Sequence, residues 1–320
     1  MIRALCLMLF AAPAAAADLT VALDWTPNTN HIGLYVAEAR GIYDAAGLDV
    51  TILPYTDTSS AVLVDSGVAE FGVLTSGGFF TRAAAGADLK AAYAVVQHET
   101  GRLVFNADSG IETPADLDGR TYGGFGSDYE NALIGTIIRN GGGKGDYTNV
   151  TLGTSAYEAL ASGRVDFTLE VYTWEGVNAQ LLGLEQKAFR YADYGVPDQH
   201  TTLIGGRGSW MADHPADAQA FLRATAEGYA WAAANPDAAA DILIDATAGM
   251  LSNPDQIRGS MKALADGAYL VDAAGQAGQI DPAKIEAAGD FFFDNGILKD
   301  AEGAVLTERP DFKSWLMSDW

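Results

Sequence analysis

From Leu19 to Gln97 the hydrophobic pattern switches repeatedly between a period of two and a helical period, and this switching most restricts the fold. Leu19, Val21 and Leu23 interleave with Thr20, Ala22 and Asp24, as in a strand. Ile32, Tyr35, Val36 and Ala39 then recur at helical spacing, and Gly41 supplies the stop. Residues 48–53 (LDVTIL) predict a second strand, and Ser59 can cap a helix running to Asp65. Residues 70–74 predict a third strand, 79–85 a helix and 89–97 a fourth strand. Strand and helix in turn imply a parallel sheet covered on both faces. The pattern resumes with strands at 120–123, 147–153 and 165–174, separated by helices at 128–140 and 157–162. Residues 191–204 lead back into an apolar strand, and the glycines of 205–208 read as a hinge. Beyond Trp210 the chain turns helical. His214-Pro215, Asn235-Pro236, Asn253-Pro254 and Asp281-Pro282 each set a plausible cap before a proline suited to the first helical position.

Loops at the carboxyl ends of parallel strands are where small ligands bind. The first such loop, residues 24–31, carries Asp24, Trp25, Asn28 and His31: an acid, an aromatic face, an amide and an imidazole. It reads equally as a capped turn with a packing tryptophan. Thr75 and Ser76 follow the third strand, as a second wall of the same crevice or a plain strand–helix turn. Gly126, Ser127 and Tyr129 open the 128–140 helix, where free N–H groups suit a carbonyl, carboxylate or phosphate. The loop is no dinucleotide fingerprint, because Tyr129 stands where the third glycine is required, and no Walker loop, because Gly145 follows Lys144. Glu170, Tyr172 and Trp174 alternate and so should share one strand face. An acid there must meet a cleft, a cation or a donor, or lie on an exposed strand end.

The net charge of −23 excludes a basic nucleic-acid footprint and disfavours an anionic membrane surface. No G-x-S-x-G elbow occurs, and the four histidines show no metal spacing; aromatics, amides and acids suit capture better than turnover. Residues 1–17 read as a secretory signal peptide: Arg3, an apolar run over 5–10, and Ala15, Ala16 and Ala17 before a mature start at Asp18. Cys6, the only cysteine, leaves with it, so no disulfide is expected. A periplasmic location follows as the expectation.

LDWTPNTNHIGLYVAEARGIYDAAGLDV resembles the opening of the NMT1/THI5-like proteins. YGGFGSDYE, VDFTLEVYTWEG and YGVPDQHTTLI are similar to later segments of that family, in the same order. The resemblance implies an α/β protein of the type II periplasmic-binding-protein fold, with two α/β lobes, a ligand cleft between them and a helical C-terminal part. On that basis 18–101 and 206–320 form lobe 1 and 102–205 lobe 2. It implies a monomeric binding protein that serves an ABC permease and holds a thiamine-precursor aminopyrimidine, with no cofactor, metal or catalysis. The alternatives are a sulfonate, nitrate or flavin-like ligand, or a pyrimidine synthase like the fungal members, which use a lysine-bound pyridoxal phosphate. Residues 74–78 (LTSGG) carry no lysine for that role.

Overall fold

The computed structural model describes residues 16–247, 249–251, 253–317 and 320; the expected leader lies outside them, apart from Ala16 and Ala17. The strands are β1 (Ala17–Ala22), β2 (Leu48–Leu53), β3 (Phe71–Thr75), β4 (Leu89–Ala94), β5 (Gly101–Asn106), β6 (Thr121–Gly124), β7 (Thr148–Thr151), β8 (Phe167–Val171), β9 (Gln186–Arg190) and β10 (Thr202–Arg207). They form two five-stranded sheets, ordered β2-β1-β3-β10-β4 and β7-β6-β8-β5-β9. In the first, β1 runs parallel to β2 and β3, while β10 runs antiparallel to both β3 and β4. In the second, β6 is parallel to β7 and β8, and β5 is antiparallel to β8 and β9.

The first sheet is buried on both faces. Leu19 and Val21 of β1 join one core with the helices Ile32–Ala39 and Pro215–Ala234. Leu74 of β3 joins another with Phe79, Phe80, Phe292 and Phe312. The C-terminal helices therefore complete the first sheet's cover. All four X-Pro steps begin helices, with proline in the first turn. Only two carry a side-chain cap: Asn253 accepts from the Gln256 N–H and Asp281 from the Ala283 N–H, whereas His214 and Asn235 do not.

Two helices cross so closely that a side chain cannot separate them. A β-carbon on Gly228 would lie 2.2 Å from the Gly33 carbonyl oxygen, and one on Gly33 would lie 2.0 Å from the Tyr229 ring. Gly228→Ala should thus lower stability by about 1–3 kcal/mol through overpacking, read as a lower denaturant midpoint at unchanged slope.

The chain passes between sheets after β4 and again before β10, and the two passages lie side by side. Val95 N–H donates to the Thr202 carbonyl at 2.9 Å, and Glu99 N–H donates to Asp198 Oδ1 at 2.8 Å. The expected boundary at 205/206 is corrected here, because Thr202–Arg207 pairs wholly within the first sheet. Gly205 and Gly206 are packing glycines rather than a hinge: β-carbons there would lie 2.5 Å from Leu74 and 2.8 Å from the Phe71 ring.

Candidate functional site

The carboxyl ends of β1, β3 and β8 face one another across a cavity of about 260 Å³. Asp24, Trp25, Asn28 and Thr75 line it from the first sheet's side. Phe125, Tyr157, Trp174 and Glu175 line it from the second's. Thr100, Thr201 and Thr202 close it at the chain passages. Among the described residues that line it, none is Lys, Arg or His.

The loop after β1 is rigid for local reasons. Asn28 caps a short 3₁₀ turn, Thr29–His31, its Oδ1 accepting from the Asn30 N–H at 2.8 Å. The Asn28 N–H in turn donates to His31 Nδ1 at 3.2 Å, which leaves the proton on Nε2. That nitrogen donates to Asp24 Oδ1 at 2.9 Å. His31 is fully buried with both nitrogens engaged, so the expectation that it meets a ligand is corrected. It aims Asp24, whose Oδ2 has no protein partner among the described residues. Trp25 is braced by Tyr55 at 5.3 Å between centroids and by Phe125 edge-on at 6.5 Å.

Across the gap, β8 ends at Val171 and the chain enters a wide turn, Tyr172–Gly176, with i→i+5 character. The turn breaks the alternation expected of Glu170, Tyr172 and Trp174. Trp174 reaches the cavity and packs against the first sheet's core. Glu170 points elsewhere: its Oε1 accepts from Arg102 Nε at 2.8 Å and from Nη2. Tyr172 lies beneath the same guanidinium, 4.4 Å from its centroid. Both leave the candidate set because Arg102 supplies the cation that Glu170 needs once buried.

The acid that does line the cavity is Glu175. Its Oε2 accepts from the Val171 N–H at 3.1 Å. Burial pushes its carboxyl up to about 7, against hydrogen bonds from its own and the Val171 N–H groups, and the Glu170 charge adds to the rise. Burial likewise raises the Tyr157 phenol, with the charges of Glu175, Glu170 and Glu130 adding to it. Neither residue carried a periodic signal; Glu175 was hidden by its place one residue beyond the supposed strand.

The remaining expectations are also redistributed. Ser76 is buried and donates to Gln199 Oε1 at 2.8 Å. The N–H groups of Phe125 and Gly126 donate to Glu130, at 3.0 and 2.8 Å to Oε2, so the chain's own acid fills the anion site expected there. Ser127 caps the helix Asp128–Asn140 by accepting from the Glu130 N–H. Ser127 and Tyr129 line a neighbouring cavity of about 440 Å³ that meets the first at Thr75. Among the described residues no cluster of His, Cys, Asp and Glu is placed to hold a metal, and no helix is long and apolar enough to cross a membrane.

Two α/β lobes, two chain passages and a cavity at opposed strand ends define the type II periplasmic-binding-protein fold. The periplasmic aliphatic sulphonate binding protein SsuA of Escherichia coli has this fold: the two superpose with a TM-score of 0.68 over 94% of this chain and 92% of that one, at 17% identity. The chain belongs to the NMT1/THI5-like family, whose model matches residues 28–239. A formylaminopyrimidine-binding protein of Halalkalibacterium halodurans is 28% identical over 239 residues, 72% of this chain and 71% of that protein. A 4-amino-5-hydroxymethyl-2-methylpyrimidine phosphate synthase of Schizosaccharomyces pombe is 23% identical over 217 residues, 64% of this chain and 63% of that protein.

Proposed function

We propose that the protein is the periplasmic solute-binding component of an ABC importer and holds a thiamine-precursor pyrimidine, formylaminopyrimidine or hydroxymethylpyrimidine, between its lobes. One observation carries this reading: indole rings from both lobes meet two carboxylates in a cavity lined by no cationic side chain. A sulfonate or nitrate needs positive charge beside its donors; this lining offers only neutral donors and sets two carboxylates among them. An aminopyrimidine needs the reverse. Its flat ring stacks on Trp25 or Trp174. Its exocyclic amine donates to Asp24 Oδ2 or Glu175, and a protonated Glu175 can return a hydrogen bond to a ring nitrogen. The volume lies just below the roughly 300–1,000 Å³ of sites for larger ligands, which favours one ring over a flavin. The relative from H. halodurans, named for formylaminopyrimidine binding, supports the same ligand class.

A synthase reading finds less support, because no lysine among the described residues lines the cavity to anchor a pyridoxal aldehyde. Lobe closure on the ligand would be the state that a permease recognises. Isothermal titration with both pyrimidines, ethanesulfonate and nitrate tests the assignment. Heat with a pyrimidine and none with the anions is expected; no heat with either pyrimidine up to millimolar overturns it. Trp174→Ala should weaken pyrimidine binding by about 1–3 kcal/mol, the range for base–aromatic stacking, measured in the same titration.

A further inference from the structure

Tyr129 belongs to the second lobe, in the first turn of the helix Asp128–Asn140, yet it packs against the cores of both lobes. Its ring stacks on Phe292 of the first lobe at 5.1 Å between centroids and 13° between planes, and Phe291 meets it edge-on at 6.3 Å. Phe292 is itself stacked on Phe80, so this contact is continuous with the first lobe's interior. The Tyr129 hydroxyl accepts from Gln199 Nε2 at 2.9 Å. Gln199 sits in the second chain passage, and all of its side-chain capacity but one lone pair is used. The same nitrogen donates to Glu99 in the first passage at 2.8 Å, and its oxygen accepts from Ser76 at 2.8 Å. Beside Tyr129, Asp128 Oδ2 pairs with Lys299 Nζ of the first lobe at 2.7 Å.

We infer that Tyr129 is an interlobe latch: seated on Phe292 and Gln199, it holds the lobes together and so sets ligand residence time without touching the ligand. The inference rests on the solute-binding reading above. Tyr129 does not line the cavity of Trp25 and Trp174, so it is a positioning residue. The Tyr129–Phe292 stack and the Lys299–Asp128 pair cross between lobes, and the Tyr129–Gln199 bond joins the second lobe to a chain passage. Opening would therefore return an aromatic face to water and unpair a buried amide at once, which makes closure a two-state event. The Lys299–Asp128 pair is exposed and adds little energy, but it guides the seating.

Small-angle X-ray scattering and stopped-flow fluorescence of the purified protein test this, with formylaminopyrimidine as probe. Ligand-free Tyr129→Ala should show a larger radius of gyration than wild type and return to the wild-type value at saturating ligand. Its ligand dissociation should be about tenfold faster, the change expected if the closed fraction falls tenfold. Tyr129→Phe keeps the stack, loses the bond to Gln199 and should fall between. A structural defect would not produce a ligand-reversible expansion. If Tyr129→Ala does not fold, Tyr129→Phe carries the test, with an expanded ligand-free form. An unchanged radius and an unchanged dissociation rate overturn the latch. If wild type does not bind the pyrimidine, the ligand reading fails alone, and the ligand-free scattering still decides whether Tyr129 holds the lobes.

Discussion

Raising the pH from about 5 to about 8 should cost this protein on the order of 3 kcal/mol of stability. Burial pushes Glu99 up to about 7, against hydrogen bonds from Gln199 and Gly101, with Asp198 adding to the rise. Glu175 is likewise pushed up to about 7. In the unfolded chain both titrate near the ordinary value of about 4.3. Through the intervening window the folded protein keeps two protons that the unfolded chain has released, so stability falls as pH rises. His200 opposes this. Burial and the Lys284 charge push its imidazole down to about 4, so the unfolded chain takes up a proton that the folded one refuses. Two against one leaves a net single proton, on the order of 1.4 kcal/mol per pH unit. Glu170, also raised by burial, adds to the same slope. The gain ends in stronger acid. Asp198 is held low by hydrogen bonds from Lys284, Glu99 and His98 that outweigh its burial, so it loses stabilising contacts once protonated. Urea midpoints over a pH series measure the profile. Glu99→Gln should flatten it by leaving Glu175 and His200 to cancel; stability that climbs with pH across the window would contradict the assignment.

The second large effect concerns the pair that removed Glu170 from the site. Arg102→Met should destabilise the fold by about 3 kcal/mol at neutral pH, the low end of the range for breaking a buried pair. The low end applies because Arg102 keeps 26% of its side chain exposed while Glu170 keeps 3%. Adding Glu170→Leu should recover most of that loss, since the double variant leaves no carboxylate stranded. Chemical denaturation of the two single variants and the double variant closes the cycle. Pyrimidine affinity in the double variant should match wild type. A tenfold loss would return Glu170 to the ligand and reverse the exchange of roles with Glu175.

That exchange shows where sequence reading stops. Up to Val171 the period of two holds, and the strand itself was legible. A single wide turn then shifts the phase, and no local residue announces it, since YTWEG lacks proline and ends in one glycine. Trp174 still arrives at the cavity and Glu170 does not. The loop after β1 was readable because its capping logic is local: Asn28 and His31 are three residues apart and answer each other's backbone groups. The consequence for His31, total burial, depends on packing that sequence spacing does not carry. The glycine loop that opens at Gly124 does present N–H donors, but their acceptor is Glu130, in the first turn of the helix that follows. Edge strand β9, QKAFR, mixes charge with a single buried phenylalanine and leaves no apolar stripe to detect. Gly205 and Gly206 invite a hinge reading only because the neighbours that require them, Phe71 and Leu74, are distant in sequence.

The slot that β10 fills between β3 and β4 also fixes an order of assembly. During synthesis β3 and β4 emerge early, but the strand that must join them arrives only after the whole second sheet has been made. Until then the first lobe presents two unpaired edges and an unfinished core, a chain that stays threadable. On the periplasmic reading proposed above, that delay would be an advantage: the same detour that builds a cleft in the finished molecule leaves the first sheet incomplete until late in synthesis.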